Sequence, residues 1–169
     1  MIAEFTSKIK AMKTPITSFG HKLLIDELDR LKKVDRPEVI NAIKEARAQG
    51  DLSENAEYDA AKEKQGFIEG RIIELESKLS NSIIINPDEL NKDGKCVFGT
   101  YVTVLNLSND KTFTYQIVGE DEADVKVGKI SFASPLSRAL IGKIAGDIAE
   151  FQSPNGVQEY EIISVKYNL

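Results

Sequence analysis

One run of residues constrains the fold more than any other. Tyr58, Ala61, Gln65, Ile68, Ile72, Leu75 and Leu79 recur at alternating steps of three and four. That spacing keeps them on one stripe of a slightly underwound helix, the seam of a coiled coil. Between them stand Lys62, Lys64, Glu69, Arg71, Glu74, Glu76 and Lys78, a solvated surface. Gly66 and Gly70 are tolerable within such a helix, at about 1 kcal/mol each where exposed. A stripe of this kind needs a second helix to cover it.

The preceding segment supplies one. Leu24, Leu28 and Leu31 begin a seam, and Leu23 and Val34 are expected to widen it. Pro37 has no amide hydrogen and clashes one turn back, so the helix should kink or restart there, with Pro37 in the first position of a new turn. Val39, Ile40, Ile43 and Ala46 resume the stripe, and Thr17 or Ser18 is the expected N-cap. Between the arms lies Gly50-Asp51-Leu52-Ser53. Gly50 suits a left-handed helix end, and Asp51 or Ser53 can cap the next helix. So short a connection makes the helices antiparallel. Arms of about 30 residues at 1.5 Å each span roughly 45 Å, so much of the rod should project into solvent.

After Asn86-Pro87-Asp88, a turn signal, the pattern changes. Residues 101–107 and 112–118 read as a hairpin turning at Asn109-Asp110. Ser134-Pro135 opens a short helix closed by Gly142. Residues 147–152 and 159–167, around Pro154-Asn155-Gly156, form a last hairpin. The expected fold is an antiparallel helical hairpin, a coiled coil over residues 14–85, followed by a small antiparallel α+β domain over 86–169. Residues 1–13 read as an N-terminal extension without a core pattern, and Met12 is an alternative start.

Charge narrows the function. Residues 1–85 carry 14 basic and 15 acidic side chains, and the remainder 8 and 12. Neither half has the basic balance of a stand-alone nucleic-acid binder, so a partner must hold any nucleic acid involved. The single cysteine, Cys96, precludes an internal disulfide; it reads as a quiet structural residue and fits a reducing cytoplasm. No apolar run is long enough to span a bilayer, and the start lacks the apolar core of a secretory signal.

The chemically richest segment is Gly50 to Asp59, with Asp51, Glu54, Glu57 and Asp59 and no base among them. Asp51-x-x-Glu54 matches a capping box, and acids suit the first turn of a helix. The same pair also makes half a Mg²⁺ site. Mg²⁺ takes hard oxygen ligands, keeps several waters, and commonly uses one or two carboxylates plus phosphate. Alone the pair would hold the ion weakly. On a stalk it makes sense if a partner supplies the other ligands, as in a two-metal phosphoryl-transfer centre. Spacing alone favours the cap.

Several separated motifs resemble the Gre transcript-cleavage factors, the GreA branch most. They are Arg36-Pro37-Glu38-Val39-Ile40, Glu45-Ala46-Arg47-Ala48, Gly50-Asp51-Leu52-Ser53-Glu54-Asn55-Ala56-Glu57-Tyr58, Ala60-Ala61-Lys62-Glu63, Ile117-Val118-Gly119, Glu122-Ala123-Asp124, Ser134-Pro135, Ala139-Leu140-Ile141-Gly142-Lys143 and Gly146-Asp147. The resemblance implies a coiled coil that enters the secondary channel of RNA polymerase and an FKBP-like C-terminal domain that grips the channel rim. It implies that Asp51 and Glu54 help place a Mg²⁺ shared with the polymerase, whose own centre then cuts the 3′ end of a backtracked transcript. Leu52 matches the apolar spacer, while Asn55 and Tyr58 match positions that support the tip. Arg47 and Lys62 match a basic patch facing the nascent RNA 3′ end. Lys62 stands where arginine is common, which weakens any bidentate phosphate contact. Ser134 and Pro135 fall where the family meets the polymerase. The implied protein is a cytoplasmic monomer that binds no cofactor stably and is not itself an enzyme.

Other readings compete. A stand-alone metal nuclease lacks ligands, with two carboxylates and no histidine cluster. A channel-plugging inhibitor without cleavage is the nearest alternative, although such relatives tend to alter the acidic tip. Prolyl isomerisation would rest on fold alone, which does not carry activity. A purely structural coiled coil leaves the second domain without a role.

Overall fold

A computed structural model describes residues 13–51 and 55–169. The expectations for the extension, for the start at Met12, and for Leu52, Ser53 and Glu54 fall outside them. The chain divides into two units: a helical one, His21–Ser82, and a sheet unit that joins Ile83–Leu169 to the stretch ending at Gly20.

Helix α1 (Ser18–Arg30) runs into a π-helical turn (Leu31–Asp35), and α2 (Arg36–Ala48) follows without a break. Helix α3 (Ala56–Ser80) is the second arm. It buries Ala61, Ile68, Ile72 and Leu75 and half-buries Tyr58, Gln65 and Leu79, the expected seam. Gly66 and Gly70 face open space.

The first arm differs from expectation in an instructive way. Leu24 and Leu31 are buried seven residues apart, but the next buried position is Val39, followed by Ile43 and Ala46. A strict heptad would have placed Glu38 there, and Glu38 is exposed. The π turn holds one extra residue and so moves the seam by one position. Pro37 explains its location. Pro37 cannot donate to the carbonyl four back and crowds it, so the preceding turn widens, and the Arg36 amide donates to the Leu31 carbonyl. Asp35 and Arg36 keep right-handed helical angles, and Asp35 provides no side-chain cap. Pro37 lies in the first turn of α2, as its second residue rather than its first, and the restart is a bulge rather than a new capped helix. Leu23, Val34 and Ile40, expected on the stripe, are 51%, 46% and 52% exposed.

Ion pairs lock the arms in register. Arg36 grips Glu69 with two bonds of 2.7 and 2.8 Å, and Arg71 grips Glu27 at 2.7 and 2.9 Å. Lys32 bonds Glu76. Arg71 holds the Glu27 carboxyl below the ordinary glutamate range, and Arg36 does the same for Glu69.

The sheet unit contains β1 (Thr14–Thr17) paired with β2 (Ser82–Ile85), and a five-stranded sheet of β3 (Tyr101–Asn106), β4 (Lys111–Val118), β5 (Lys129–Ser131), β6 (Ile148–Ser153) and β7 (Gly156–Lys166). Its order is β5-β4-β3-β7-β6. The two expected hairpins are β3–β4 and β6–β7. The sheet is not wholly antiparallel, because β4 and β5 run parallel after the crossover between them. Helix α4 (Pro135–Leu140) covers the core. That core is Cys96, Val102, Val104, Ile117, Ile130, Leu140, Ala149 and Ile162, with Phe98, Phe132 and Tyr160 packed against it. Cys96 is fully buried and accepts a weak bond from the Thr100 hydroxyl at 3.7 Å. Burial pushes its thiol up to about 11, which removes nucleophilic character.

Thr17 is the N-cap of α1: its hydroxyl accepts from the Gly20 amide at 3.0 Å. The Glu122 carboxylate reinforces it, accepting from the Thr17 amide at 3.0 Å, from the Thr17 hydroxyl and from the Gly119 amide at 3.0 Å.

Candidate functional site at the hairpin tip

Helix α2 ends where Gly50 adopts φ 120°, a conformation that favours glycine, and its amide reaches the Arg47 carbonyl at 3.5 Å. Helix α3 starts at Asn55, which has extended angles and accepts from the Tyr58 amide at 3.0 Å. The same side chain donates to the Ala46 carbonyl at 2.7 Å. One asparagine therefore caps the incoming helix and ties it to the outgoing one.

This corrects the expectation that Asp51 caps α3. Asp51 lies four residues before the N-cap and is exposed. The capping-box reading of Asp51-x-x-Glu54 does not hold for Asp51, because the helix begins later. Glu57 and Asp59 occupy the first turn, where acids suit the helix dipole. Among the described residues no three His, Cys, Asp or Glu side chains group closely enough to hold a metal ion.

The basic candidates lie beside the tip. The Arg47 guanidinium stands 5.8 Å over the Tyr58 ring, a cation–π contact that joins the two helices. Lys62 donates to Gln65 at 2.9 Å. Both cations line a shallow groove of about 350 Å³ with Ile40, Ile43, Lys44 and Gln65. Sequence reading missed Lys44; three steps before Arg47 on a helix, it shares that residue's face. Asn55, Tyr58, Arg47 and Lys62 are thus brought together within one stretch of the hairpin, whereas Ser134 and Pro135 belong to the sheet unit.

There Ser134 caps α4, its hydroxyl accepting from the Ser137 amide at 3.1 Å, and Pro135 is exposed in the first turn. The sheet unit also has a larger open cleft, about 620 Å³, lined in part by Phe19, Tyr101, Tyr167, Glu122 and Lys129. Its chemistry is committed to structure. Glu122 holds the α1 cap, and Lys129 lies 4.9 Å over the Phe19 ring. Size alone does not make it the reactive site. No helix among the described residues is long and apolar enough to cross a membrane.

Comparison with known families matches residues 14–84 to a model described as Transcription elongation factor, N-terminal, and residues 91–167 to Transcription elongation factor, GreA/GreB, C-term. Transcription elongation factor GreA of Neisseria meningitidis serogroup A is 64% identical, covering 92% of this chain and 98% of its own. The protein of the same name from Ralstonia nicotianae is 60% identical over 90% and 97%. Among solved structures, the GreA factor homolog 1 (Gfh1) protein of Thermus thermophilus is 27% identical, covers 90% of this chain and 98% of its own, and has a TM-score of 0.41.

Proposed function

Because the chain belongs to the GreA/GreB family of transcription elongation factors, we propose that it binds RNA polymerase and stimulates that enzyme's own cleavage of backtracked RNA. The sheet unit grips the rim of the secondary channel through the surface around Ser134 and Pro135. The hairpin enters the channel with Asp51 and Glu54 foremost. Arg47 and Lys62 receive the displaced 3′ end, and Asn55 and Tyr58 hold the tip in shape. The bond-breaking centre remains the polymerase's.

Asp51 and Glu54 would hold a Mg²⁺ together with polymerase ligands; two carboxylates fit such a shared site and are too few for a resident one. When bound, that ion supplies charge stabilisation on the phosphate and a water of lowered pKa. The observation that supports this reading is local. Asp51 stands exposed at the turn, four residues before the Asn55 N-cap of α3, so it is not the cap of that helix.

The test is a backtracked elongation complex given the protein with and without Mg²⁺. A shortened transcript is expected only with both. Asp51→Ala or Glu54→Ala should abolish this while polymerase binding persists, and changes at Ser134 or Pro135 should weaken binding first. Equal loss of binding and cleavage at the acidic pair would make those residues structural. Polymerase binding with no cleavage by the unaltered protein would favour the channel-inhibitor reading. Cleavage of free RNA without polymerase would make the protein a nuclease.

A further inference from the structure

We infer that Lys44 is a third cation of the RNA-binding groove and that Ile40 is its apolar floor, so that the groove seats one nucleotide of the transcript's 3′ segment. The inference rests on the proposed function and extends it to Lys44, which lies between the family motifs, and to the exposed face of Ile40.

The groove is built by both arms. Helix α2 contributes Ile40, Ile43, Lys44 and Arg47, and α3 contributes Lys62 and Gln65. Three of these six side chains are cationic. Nearer the base of the hairpin the cations do structural work: Arg36, Arg71 and Lys32 are each held by a carboxylate on the opposite arm. Lys44 differs, for among the described residues it has no hydrogen-bond or ion-pair partner, and it is exposed. An unpaired lysine is a mobile, strongly hydrated charge suited to a phosphate oxygen. Lys62 is oriented by Gln65 and Arg47 by Tyr58, so both have defined positions before any ligand arrives.

Ile40 adds what a phosphate alone would not need. It belongs to the exposed half of an apolar pair whose other member, Ile43, is buried in the seam. An apolar surface flanked by cations matches a nucleotide, whose base or ribose wants dry contact and whose phosphate wants charge. A protein partner would more naturally bring carboxylates to three cations, and the test separates the two.

The experiment places a photoreactive uridine at the 3′ end of a backtracked transcript in an elongation complex with full-length protein. Crosslink yield and half-saturating concentration for cleavage are followed against salt. Lys44→Ala should raise the half-saturating concentration several-fold, lower the crosslink yield, and leave the saturating cleavage rate near that of the unaltered protein. The salt slope should fall by about 0.7, the value for one phosphate contact on a single strand. Lys44→Arg should restore all three readouts, and Ile40→Ser should lower the crosslink yield without changing the slope. If Lys44→Ala behaves as the unaltered protein while Arg47→Ala does not, the inference is overturned and the proposed function stands. If Lys44→Ala weakens polymerase binding equally without RNA, the groove meets protein and the inference is likewise overturned. If the unaltered protein gives neither crosslink nor cleavage, the proposed function fails and takes this inference with it.

Discussion

Replacing Asn55 by alanine tests the tip more directly than any change at the acidic pair. Two bonds disappear. Loss of an Asn N-cap costs about 1 kcal/mol. The bond to Ala46, 2.7 Å and half-buried, would ordinarily be worth about 1 kcal/mol. The Ala46 carbonyl keeps a donor in the Gln49 amide at 3.3 Å, so the second loss is nearer to about 0.5 kcal/mol. The sum is about 1.5 kcal/mol, or roughly tenfold in the opening equilibrium of the first turns of α3. Hydrogen exchange of the amides from Tyr58 to Lys62 reads that equilibrium and should accelerate by this factor. Asn55→Asp keeps the acceptor and loses the donor, so it should fall between. Asp51→Ala, an exposed position outside the cap, should change exchange by no more than about twofold, equivalent to about 0.5 kcal/mol. If Asp51→Ala loosens the tip as much as Asn55→Ala, the carboxylate is structural after all, and the main support for its function is lost.

Three further outcomes follow from the geometry. Glu27 and Glu69 are held below the ordinary glutamate value of 4.5 by their arginines. Their contribution is therefore present above that value and lost as pH falls through the lower, folded one. The melting-temperature gap between the unaltered protein and Glu27→Gln should shrink below about pH 4.5 and in high salt, because both partners are partly exposed; a pH-independent gap would contradict the pairing. Cys96, with its thiol pushed up to about 11, should resist alkylation at pH 7.5 until the sheet unit unfolds, as mass spectrometry would register. At Gly20 an added Cβ would stand 2.2 Å from the Glu122 carboxyl carbon. Gly20→Ala should thus expel Glu122 and cost about 2 kcal/mol through its lost bonds. Glu122→Ala added to it should cost little more, and full additivity in denaturant melts would refute the shared mechanism.

Much of this protein was legible from local pattern. The α3 seam, the turn at Gly50, the β3–β4 and β6–β7 hairpins and the Ser134 cap each depend on residues close in sequence, whose side-chain period and backbone preferences act without the rest of the chain. The acidic tip was visible too, but its role was ambiguous, because Asp51-x-x-Glu54 satisfies a capping rule and a ligand rule alike. Tertiary structure alone placed the helix start at Ala56 and gave the cap to Asn55, which also reaches across to Ala46. It decided that Val39 rather than Ile40 faces the seam, because the phase of a helical stripe depends on the width of every preceding turn, and one π turn shifts all that follows. It also paired β1 with β2 and set Lys44 beside Lys62. Those contacts join positions far apart in sequence, and no local propensity encodes a partner that only folding brings near.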